Sequence, residues 1–553
     1  MLGSIVNEDH SHLESGPVRA LLTLACLLLA LPVAAVLGAW LRFDAAALAT
    51  LVHQAQTVLP AYAGQSVLLA LGVALGVAAV GVGAAVVVSL FRFPGRGVFE
   101  WALLLPMAMP AYVLAYAYTD ALQFAGPIQS ALRSALGLRG ALWPDVRSLP
   151  GAVVLFVLCL YPYVYLLTRS ALSERAVQMM EAARLLGAGL RRRLLEVALP
   201  LARPAVMAGV ALALMETLAD YGVGSYFGLT TFTTGIYRAW LSMNDGVAAA
   251  QLASVLLAVI AVLLALERRA QARLRFAASR GGAQHAADAQ PVQLRGALAA
   301  VAWLLCALPV LLGFALPVLW LAGMLGREAL DAQVGLPWGR FAQWAGSSLA
   351  LAASAAVAAT LVSLALAFAL RRREGWPDRI LAGSARVLAL GYAVPGAVVA
   401  LGILMPVAWL QQRFPQLGAG VLFTGTVLGL LYAYAVRFSA VALQTVEAGY
   451  ARIPGSVDET ARLLGATRLH TFVALHLPLL RRSALAAGLL VFVDVMKELP
   501  ATLVLRPLGS DTLAVVAYNL ARDERLAEAA LPSLAIVAVG LVPVLLLSRA
   551  MRR

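Results

Sequence analysis

Charged residues are scarce in this 553-residue chain. They make up 13% of the sequence, against 62% hydrophobic residues and a mean hydropathy of +0.85. A soluble domain needs roughly 25% charged residues to cover its surface, so a soluble globular protein is excluded. A helix of about 20 apolar residues crosses a bilayer core and satisfies its backbone hydrogen bonds internally. The composition therefore predicts an all-α polytopic membrane protein embedded in the lipid bilayer.

Lysine is almost absent, since Lys497 is the only one in the chain. A Walker A motif needs a lysine behind a glycine-rich loop to reach the phosphates of ATP, and Lys497 follows no such loop. The sequence also lacks a nucleophile elbow and paired zinc ligands. We therefore expect no catalytic site, no ATP hydrolysis and no bound cofactor in this chain.

Cysteine and histidine are also rare. Cys26, Cys159 and Cys306 all lie in apolar runs, which favours buried thiols over disulfides. The six histidines are scattered without metal-ligand spacing, so no metal site is expected. A net charge of +14 is compatible with nucleic-acid binding, but no polar domain with interleaved aromatics exists to perform it. The charge instead indicates a bias in membrane topology.

Twelve apolar runs are predicted to span the membrane. They lie near residues 18–40, 64–91, 98–119, 149–168, 204–226, 248–266, 296–323, 345–370, 382–409, 421–443, 483–505 and 530–548. Residues 1–17 form a polar tail. Residues 267–295, which contain six arginines and the pair Gly281-Gly282, form a linker. The predicted domains are thus a cytoplasmic tail (1–17), a first permease-like half (18–266), a cytoplasmic linker (267–295) and a second half (296–553).

The arginines predict the orientation. With the N-terminus in the cytoplasm, 30 arginines fall in cytoplasmic segments and 11 on the other side, as the positive-inside rule requires. Six spans per half place the N- and C-termini of both halves in the cytoplasm. The halves are therefore expected to be parallel repeats about an axis along the membrane normal.

A polar segment occurs once in each half. Loop 1 (residues 181–200) reads EAARLLGAGLRRRLLEVALP, and loop 2 (residues 459–478) reads ETARLLGATRLHTFVALHLP; nine of the 20 positions are identical. Leucine, alanine and arginine are common in this chain, so the spacing of Glu, Gly and Pro carries the signal. Each glycine is expected to end a short helix, and a second amphipathic helix is expected to end at the Leu-Pro before the next span. A helix resting among the lipid headgroups is the plain alternative.

This pattern resembles the cytoplasmic loop of binding-protein-dependent ABC importer permeases, whose coupling helix sits in a groove of the ATPase subunit. The resemblance implies two fused halves with the type I importer fold, two ABC ATPase subunits that use ATP, and a periplasmic substrate-binding protein, in a bacterial inner membrane. The matching residues are Glu181, Ala182, Ala183, Gly187, Val197, Leu199 and Pro200, and Glu459, Thr460, Ala461, Gly465, Leu475, Leu477 and Pro478. Thr460 replaces an alanine of the family pattern.

Two further segments resemble the fused permeases of ferric-iron importers. They are residues 215–222 (METLADYG) with 231–240 (TFTTGIYRAW), and residues 493–503 (VDVMKELPATL) with Arg506-Pro507. The resemblance implies ferric iron as cargo. Fused permeases for thiamine and phosphonates are close relatives and remain alternatives.

The same segments carry acids at membrane depth. Glu216 and Asp220 share one face of the fifth span, and Asp494, Lys497 and Glu498 share one face of the eleventh. Buried charges in a membrane are costly and face protein or water. One interpretation is that Lys497 pairs with Asp494 or Glu498 and locks helices; the other is that the acids line a cation path, since carboxylates suit a hard cation.

An ion-gradient-driven secondary transporter is the competing class of protein, because it too can have 12 spans in two parallel halves. It offers no explanation for the duplicated loop. A membrane enzyme or receptor is a third and more distant candidate.

Overall fold

The structure is a computed structural model that describes residues 3–42, 45–173, 177–278, 292–331, 336–371 and 376–551. The helices of its first part, in chain order, are α1 (Gly3–Gly38), α2 (Ala45–Gln56), α3 (Leu59–Leu90), α4 (Arg96–Ala102), α5 (Ala111–Leu122), α6 (Pro127–Leu136), α7 (Leu149–Ala171), α8 (Val177–Leu185), α9 (Leu190–Arg192), α10 (Leu199–Ala219), α11 (Gly222–Tyr226), α12 (Phe232–Tyr237) and α13 (Gly246–Ala278). Two short strands, β1 (Phe91–Arg92) and β2 (Val292–Gln293), pair in parallel.

The remaining helices follow β2. They are α14 (Ala297–Val310), α15 (Leu316–Asp331), α16 (Trp338–Leu370), α17 (Trp376–Leu388), α18 (Gly396–Arg413), α19 (Ala419–Thr424), α20 (Leu428–Tyr450), α21 (Ser456–Leu463), α22 (Arg468–His470), α23 (Leu477–Met496), α24 (Pro500–Leu505), α25 (Leu513–Arg522) and α26 (Leu526–Met551). The prediction of an all-α membrane protein is confirmed, apart from the two strands of two residues each.

Eight segments of the described chain are long and apolar enough to cross a membrane, or up to ten if each bent pair counts as one span. Two of the predicted spans are wrong in their continuity. The run near 98–119 is broken between Arg96–Ala108 and Ala111–Leu136 with a bend of 89°. Pro110 precedes α5 in an extended conformation, since proline lacks the N–H that would continue the helix. The run near 382–409 is likewise divided by Pro395, which precedes α18.

Other predicted boundaries also shift. Residues 3–17, predicted as a polar tail, belong to α1. The predicted linker begins inside α13, which extends to Ala278, while its residues 279–291 lie outside the described part of the chain. The fifth and eleventh spans each end early, at Ala219 and Met496, and short helices follow them.

The contacts divide the chain into two compact units, each assembled from two stretches. Unit 1 contains residues 1–44 and 339–512, and unit 2 contains residues 45–338 and 513–553. The predicted halves, 18–266 and 296–553, follow the repeat in the sequence and stay a prediction.

In unit 1, α20 packs against α23, and α1 packs against α17 and α18. In unit 2, α7 contacts both α3 and α10, and α10 contacts α13. The helices approach closely: a Cβ atom on Gly209 of α10 would lie 2.6 Å from the Cα atom of Val164 in α7. Small residues permit this contact in membrane proteins, where packing rather than water exclusion holds helices together. The thiols of Cys26, Cys159 and Cys306 are buried, and none of the three forms a disulfide in the described part of the chain.

Candidate coupling loops and membrane-embedded acids

Loop 1 begins inside a short helix and turns at its glycine. Helix α8 ends at Leu185, and Gly187 adopts a left-handed conformation with φ +82°. The N–H of Gly187 donates to the carbonyl of Arg184 at 2.9 Å, and the N–H of Ala188 donates to the carbonyl of Ala183 at 2.9 Å. These two bonds form a Schellman motif, in which glycine is favoured because it has no Cβ to clash.

Loop 2 repeats this geometry atom for atom. Helix α21 ends at Leu463, and Gly465 has φ +76°. The N–H of Gly465 donates to the carbonyl of Arg462 at 2.9 Å, and the N–H of Ala466 donates to the carbonyl of Ala461 at 3.0 Å. The predicted helix and glycine turn are therefore present in both copies.

The second half of each loop differs from the prediction. The expected amphipathic helix ending at Leu-Pro is wrong: Leu199 and Leu477 begin the long helices α10 and α23, with Pro200 and Pro478 in their first turns. A π-helical segment precedes each proline, over Arg193–Ala198 in loop 1 and Thr471–His476 in loop 2. Proline removes one backbone donor and clashes with the carbonyl four residues before it. The wider π turn accommodates that defect without a break.

The predicted loop residues differ in exposure. Glu181 is part-exposed and its carboxylate lies 3.3 Å from Arg184 of the same helix. In loop 2, Glu459 is exposed, whereas Ala461 is buried. The hydroxyl of Thr460 donates to the carbonyl of Ser456 at 2.8 Å, so its hydrogen-bond partner lies within the same helix. Ala182 is exposed and Ala183 is half-buried.

The sequence reasoning missed four leucines at the tips of the loops. Leu185 and Leu186 are 83% and 88% exposed, and Leu463 and Leu464, at the matching positions, are 87% and 81% exposed. All four precede the left-handed glycine and lie outside the candidate membrane spans. Two exposed leucines at the same place in both copies form an apolar tip on each polar loop.

The acid at the break after each long helix caps the next short helix. In unit 1, the carboxylate of Glu498 accepts hydrogen bonds from the N–H groups of Ala501 and Thr502, at 2.9 and 3.0 Å. In unit 2, Asp220 accepts from the N–H groups of Val223, at 2.8 Å, and Gly224. The two acids therefore have the same local role in the two halves of the repeat.

Glu498 has a partner that sequence reasoning missed. Arg437, within α20, donates from Nη1 to Oε1 of Glu498 at 2.8 Å, and the carboxylate side chain is 1% exposed. The hydroxyl of Thr502 also contacts Glu498 and bonds Tyr434 of α20 at 2.8 Å. Arg437 is one of the 30 arginines predicted to lie in cytoplasmic segments, but it lies in the middle of α20, where Glu498 neutralises it.

Lys497 pairs with Asp494, one of the two acids predicted as its partner. Its Nζ atom lies 3.0 Å from Oδ1 of Asp494, three residues earlier at the end of α23. Glu216 is the residue of unit 2 that matches Asp494 in the repeat, and it lies one turn before Asp220 in α10. In the described part of the chain, no three His, Cys, Asp or Glu side chains come together as a metal-binding group.

A cluster in unit 2 joins three distant segments. Arg147, just before α7, forms a bidentate pair with Glu524, which lies between α25 and α26, at 2.8 and 2.9 Å. The same guanidinium donates to the hydroxyl of Tyr226 at 3.0 Å, and the Tyr226 ring packs edge-on against Tyr116. The hydrogen bond from Arg147 lowers the pKa of the Glu524 carboxyl below its ordinary 4.5.

Curated proteins similar to this chain are transport permeases. It is 23% identical to the Fe(3+)-transport system permease protein FbpB 2 of Haemophilus influenzae over 494 residues, which covers 88% of each chain. It is 30% identical over 207 residues to the putative 2-aminoethylphosphonate transport system permease protein PhnV of Salmonella typhimurium, covering 37% of this chain and 74% of that one. It is 31% identical over 130 residues to the molybdenum transport system permease protein ModB of Escherichia coli K12, covering 24% and 55%.

A sequence profile of one family matches the chain twice, over residues 72–276 and 359–553. Each match contains one of the two loops with its left-handed glycine and its Leu-Pro. The two matches cover well over half of the chain, and the likeness to the Haemophilus permease runs through both. The protein therefore belongs to the binding-protein-dependent transport system inner membrane components, as a fused permease with two copies of the family domain.

Proposed function

We propose that the chain is the membrane-spanning subunit of an ATP-driven importer, and that loops 1 and 2 dock on two copies of a separate ABC ATPase. The observation that carries this proposal is the same Schellman turn, presenting the same pair of exposed leucines, in both copies of the repeat. A short helix with an apolar tip on a polar loop suits insertion into a groove of a partner protein. Nucleotide-driven closure of the ATPase pair would then move the two loops together.

The proposed topology has 12 crossings in two parallel sets of six, with both termini in the cytoplasm. The eight to ten apolar spans support part of this count. Two further helices, α20 and α23, have 23 and 20 residues and supply the length for the rest. Their lower apolarity follows from Arg437 in α20 and from Arg481, Arg482 and Asp494 in α23. This topology places both loops on the cytoplasmic side, within reach of an ATPase.

Ferric iron is the proposed cargo, moved from periplasm to cytoplasm after delivery by a periplasmic binding protein. The support is the likeness to an Fe(3+) permease across 88% of the chain, whereas the phosphonate and molybdenum permeases match smaller parts of it. Carboxylates near mid-membrane fit a hard cation in transit. A phosphonate or thiamine is the competing cargo for the same architecture.

We further infer that the acids divide into two roles. The carboxylate oxygens of Asp220 and Glu498 accept hydrogen bonds from the first N–H groups of the helices that follow them, which favours a structural function. Glu216 and Asp494, which pairs with Lys497, lie one turn earlier on the long helices and are the better candidates for the translocation path. A path should hold its cargo weakly, so a closed set of metal ligands is not expected there.

The experiment for the cargo is a competition assay. Proteoliposomes containing this chain, its cognate ATPase and its binding protein would be loaded with ATP and given radiolabelled ferric ion. Excess unlabelled ferric ion should abolish uptake, while thiamine and 2-aminoethylphosphonate should leave it unchanged. Uptake of labelled 2-aminoethylphosphonate, with no uptake of iron, would assign the other cargo while leaving the coupling mechanism in place.

A further inference from the structure

An arginine attaches loop 2 to the rest of unit 1 by hydrogen bonds to residues at the ends of neighbouring helices. Arg371 directly follows α16, and its Nε atom donates to Oδ2 of Asp458, in α21, at 2.6 Å. The same guanidinium donates to the carbonyls of Ile453 and Pro454, at 2.9 and 3.0 Å, in the turn between α20 and α21. The Asp458 side chain is 12% exposed, so solvent screens this pair weakly.

A histidine completes the tie from the other end of the loop. His476, the last residue of the π segment, is fully buried, and its Nε2 atom lies 3.0 Å from Oδ1 of Asp458. Its Nδ1 atom lies 3.4 Å from the hydroxyl of Tyr450, the last residue of α20. Burial lowers the pKa of His476 below its ordinary 6.5, which favours the neutral ring. Asp458 is thus bonded by Arg371 on one side and lies against the buried ring of His476 on the other.

Loop 1 has apolar residues at the matching positions. Met180 corresponds to Asp458, Ala198 to His476 and Leu172 to Tyr450, and all three are buried. Within the described part of the chain, the ion pairs of loop 1, Glu181 with Arg184 and Arg192 with Glu196, join residues of the loop itself. The two loops therefore share one shape at their tips but are attached to their units by different chemistry.

The two kinds of attachment respond differently to force. Burial of apolar side chains is non-directional, so a buried methionine can slide while keeping most of its contact. A buried arginine–carboxylate pair with satisfied carbonyls is directional, and breaking it leaves a charge without a partner. A loop held by such a pair keeps its angle to the helices behind it.

We propose that Asp458 is a positioning residue that fixes α21, and with it the Leu463–Leu464 tip, at a set angle on unit 1. Loop 2 is then attached rigidly to its unit and loop 1 is attached flexibly, although the tips of the two loops are alike. This inference rests on the proposed docking of both loops to an ATPase. Asp458 itself touches neither cargo nor nucleotide; it acts through the helix that it holds.

The test compares the two loops in the full-length chain in lipid nanodiscs. Amide hydrogen exchange is followed over residues 456–463 and 177–185, and affinity for the cognate ATPase subunit is measured on the same samples. The variants are Asp458→Asn, Asp458→Glu and the pair Asp458→Met with His476→Ala, which installs the residues of loop 1. Glu528→Gln is the matched control, since it removes an exposed arginine–carboxylate pair with Arg525 in unit 2.

Asp458→Asn and the double variant should raise exchange over 456–463 roughly tenfold and weaken ATPase binding by a similar factor, because a charged hydrogen bond is lost. Exchange over 177–185 should not change, and Asp458→Glu should restore part of both losses. The control should match the unmodified chain in every measurement. A purely structural ion pair would lower the melting temperature without this selective effect on α21.

Unchanged exchange over 456–463 in Asp458→Asn would overturn the inference, and so would raised exchange with undiminished ATPase affinity. If Asp458→Asn does not fold, His476→Ala, which matches Ala198 of loop 1, takes its place with the same expected direction. Failure of the unmodified chain to bind any ATPase would instead overturn the proposed function. The exchange data would then still decide whether Asp458 anchors the loop.

Discussion

Arg147 and Glu524 are 377 positions apart in the sequence and form a bidentate ion pair in unit 2. Glu524 makes this pair from a left-handed backbone conformation, with φ +61°, at the end of α25. The N–H of Arg525 donates to the carbonyl of Leu520 at 2.8 Å, so Glu524 occupies the place that glycine usually takes in a Schellman motif. A residue with a side chain in this conformation costs roughly 1–2 kcal/mol. The ion pair of Glu524 is therefore made from a strained backbone position.

That balance can be measured with two substitutions at one position. Glu524→Gln loses the charge but keeps the strained backbone, while Glu524→Gly loses the charge and relieves the strain. The Glu524 side chain is 58% exposed, so solvent screening limits the pair to about 1 kcal/mol or less. In detergent, Glu524→Gly should therefore have a higher melting temperature than Glu524→Gln. The reverse order would mean that the backbone at this turn is not strained.

The glycine turn of loop 1 gives a sharper prediction. Gly187→Val should weaken ATPase binding at least tenfold without affecting membrane insertion, because a β-branched residue cannot adopt φ +82°. A Cβ at this position meets nothing within 4 Å, so any effect comes from the backbone alone. Gly189→Ala is the matched control, since Gly189 has an ordinary φ of −65° and equally open surroundings. Equal binding by the two variants would refute the role of the turn.

The exposed leucines predict a loss of partner binding without a loss of stability. Replacing both Leu463 and Leu464 by serine should abolish co-purification of the ATPase, because these largely exposed side chains are the proposed apolar contact with it. The melting temperature should stay within about one degree of the unmodified protein. Leu508→Ser, at another fully exposed leucine of unit 1, should leave co-purification intact. Retention of the ATPase by the loop 2 variant would contradict the docking role.

Glu498 and Glu216 should behave differently when each is replaced by alanine. Glu498→Ala leaves the guanidinium of Arg437 buried without its carboxylate, at a cost of about 3–5 kcal/mol, so folded protein should be lost. Glu216→Ala should yield folded protein with reduced uptake. Size-exclusion profiles and uptake rates, measured side by side, separate the two outcomes. Stable, transport-deficient Glu498→Ala would show that this acid serves the path as well.

The loops were predictable because their signals are local. The spacing of Glu, Gly and Leu-Pro within 20 residues was sufficient to predict a helix and a turn, and both are present. The leucines before the glycine were discounted because leucine is common in this chain. Their duplication at matched positions was nevertheless a usable signal. A loop outside the membrane has no lipid contact that would explain two adjacent leucines, so such a pair indicates contact with a protein.

The polar partners of the buried acids were not predictable in this way. Arg437 and Glu498 are 61 residues apart, and nothing in the sequence near either one specifies the other. The helix breaks at Pro395 and after Met496 were also missed, because a hydropathy window registers apolarity and not the conformation of one residue. The capping of α24 by Glu498 is visible only once the break is known.

The central claim is that an external motor drives this chain through its two loops. It is tested most directly by ferric-ion uptake into proteoliposomes that contain the chain and its binding protein, with either active ATPase or an ATPase whose Walker A lysine is replaced. We predict ATP-dependent uptake with the active ATPase and none with the inactive one, whatever ion gradient is imposed. Uptake driven by an ion gradient in vesicles without any ATPase would contradict the account.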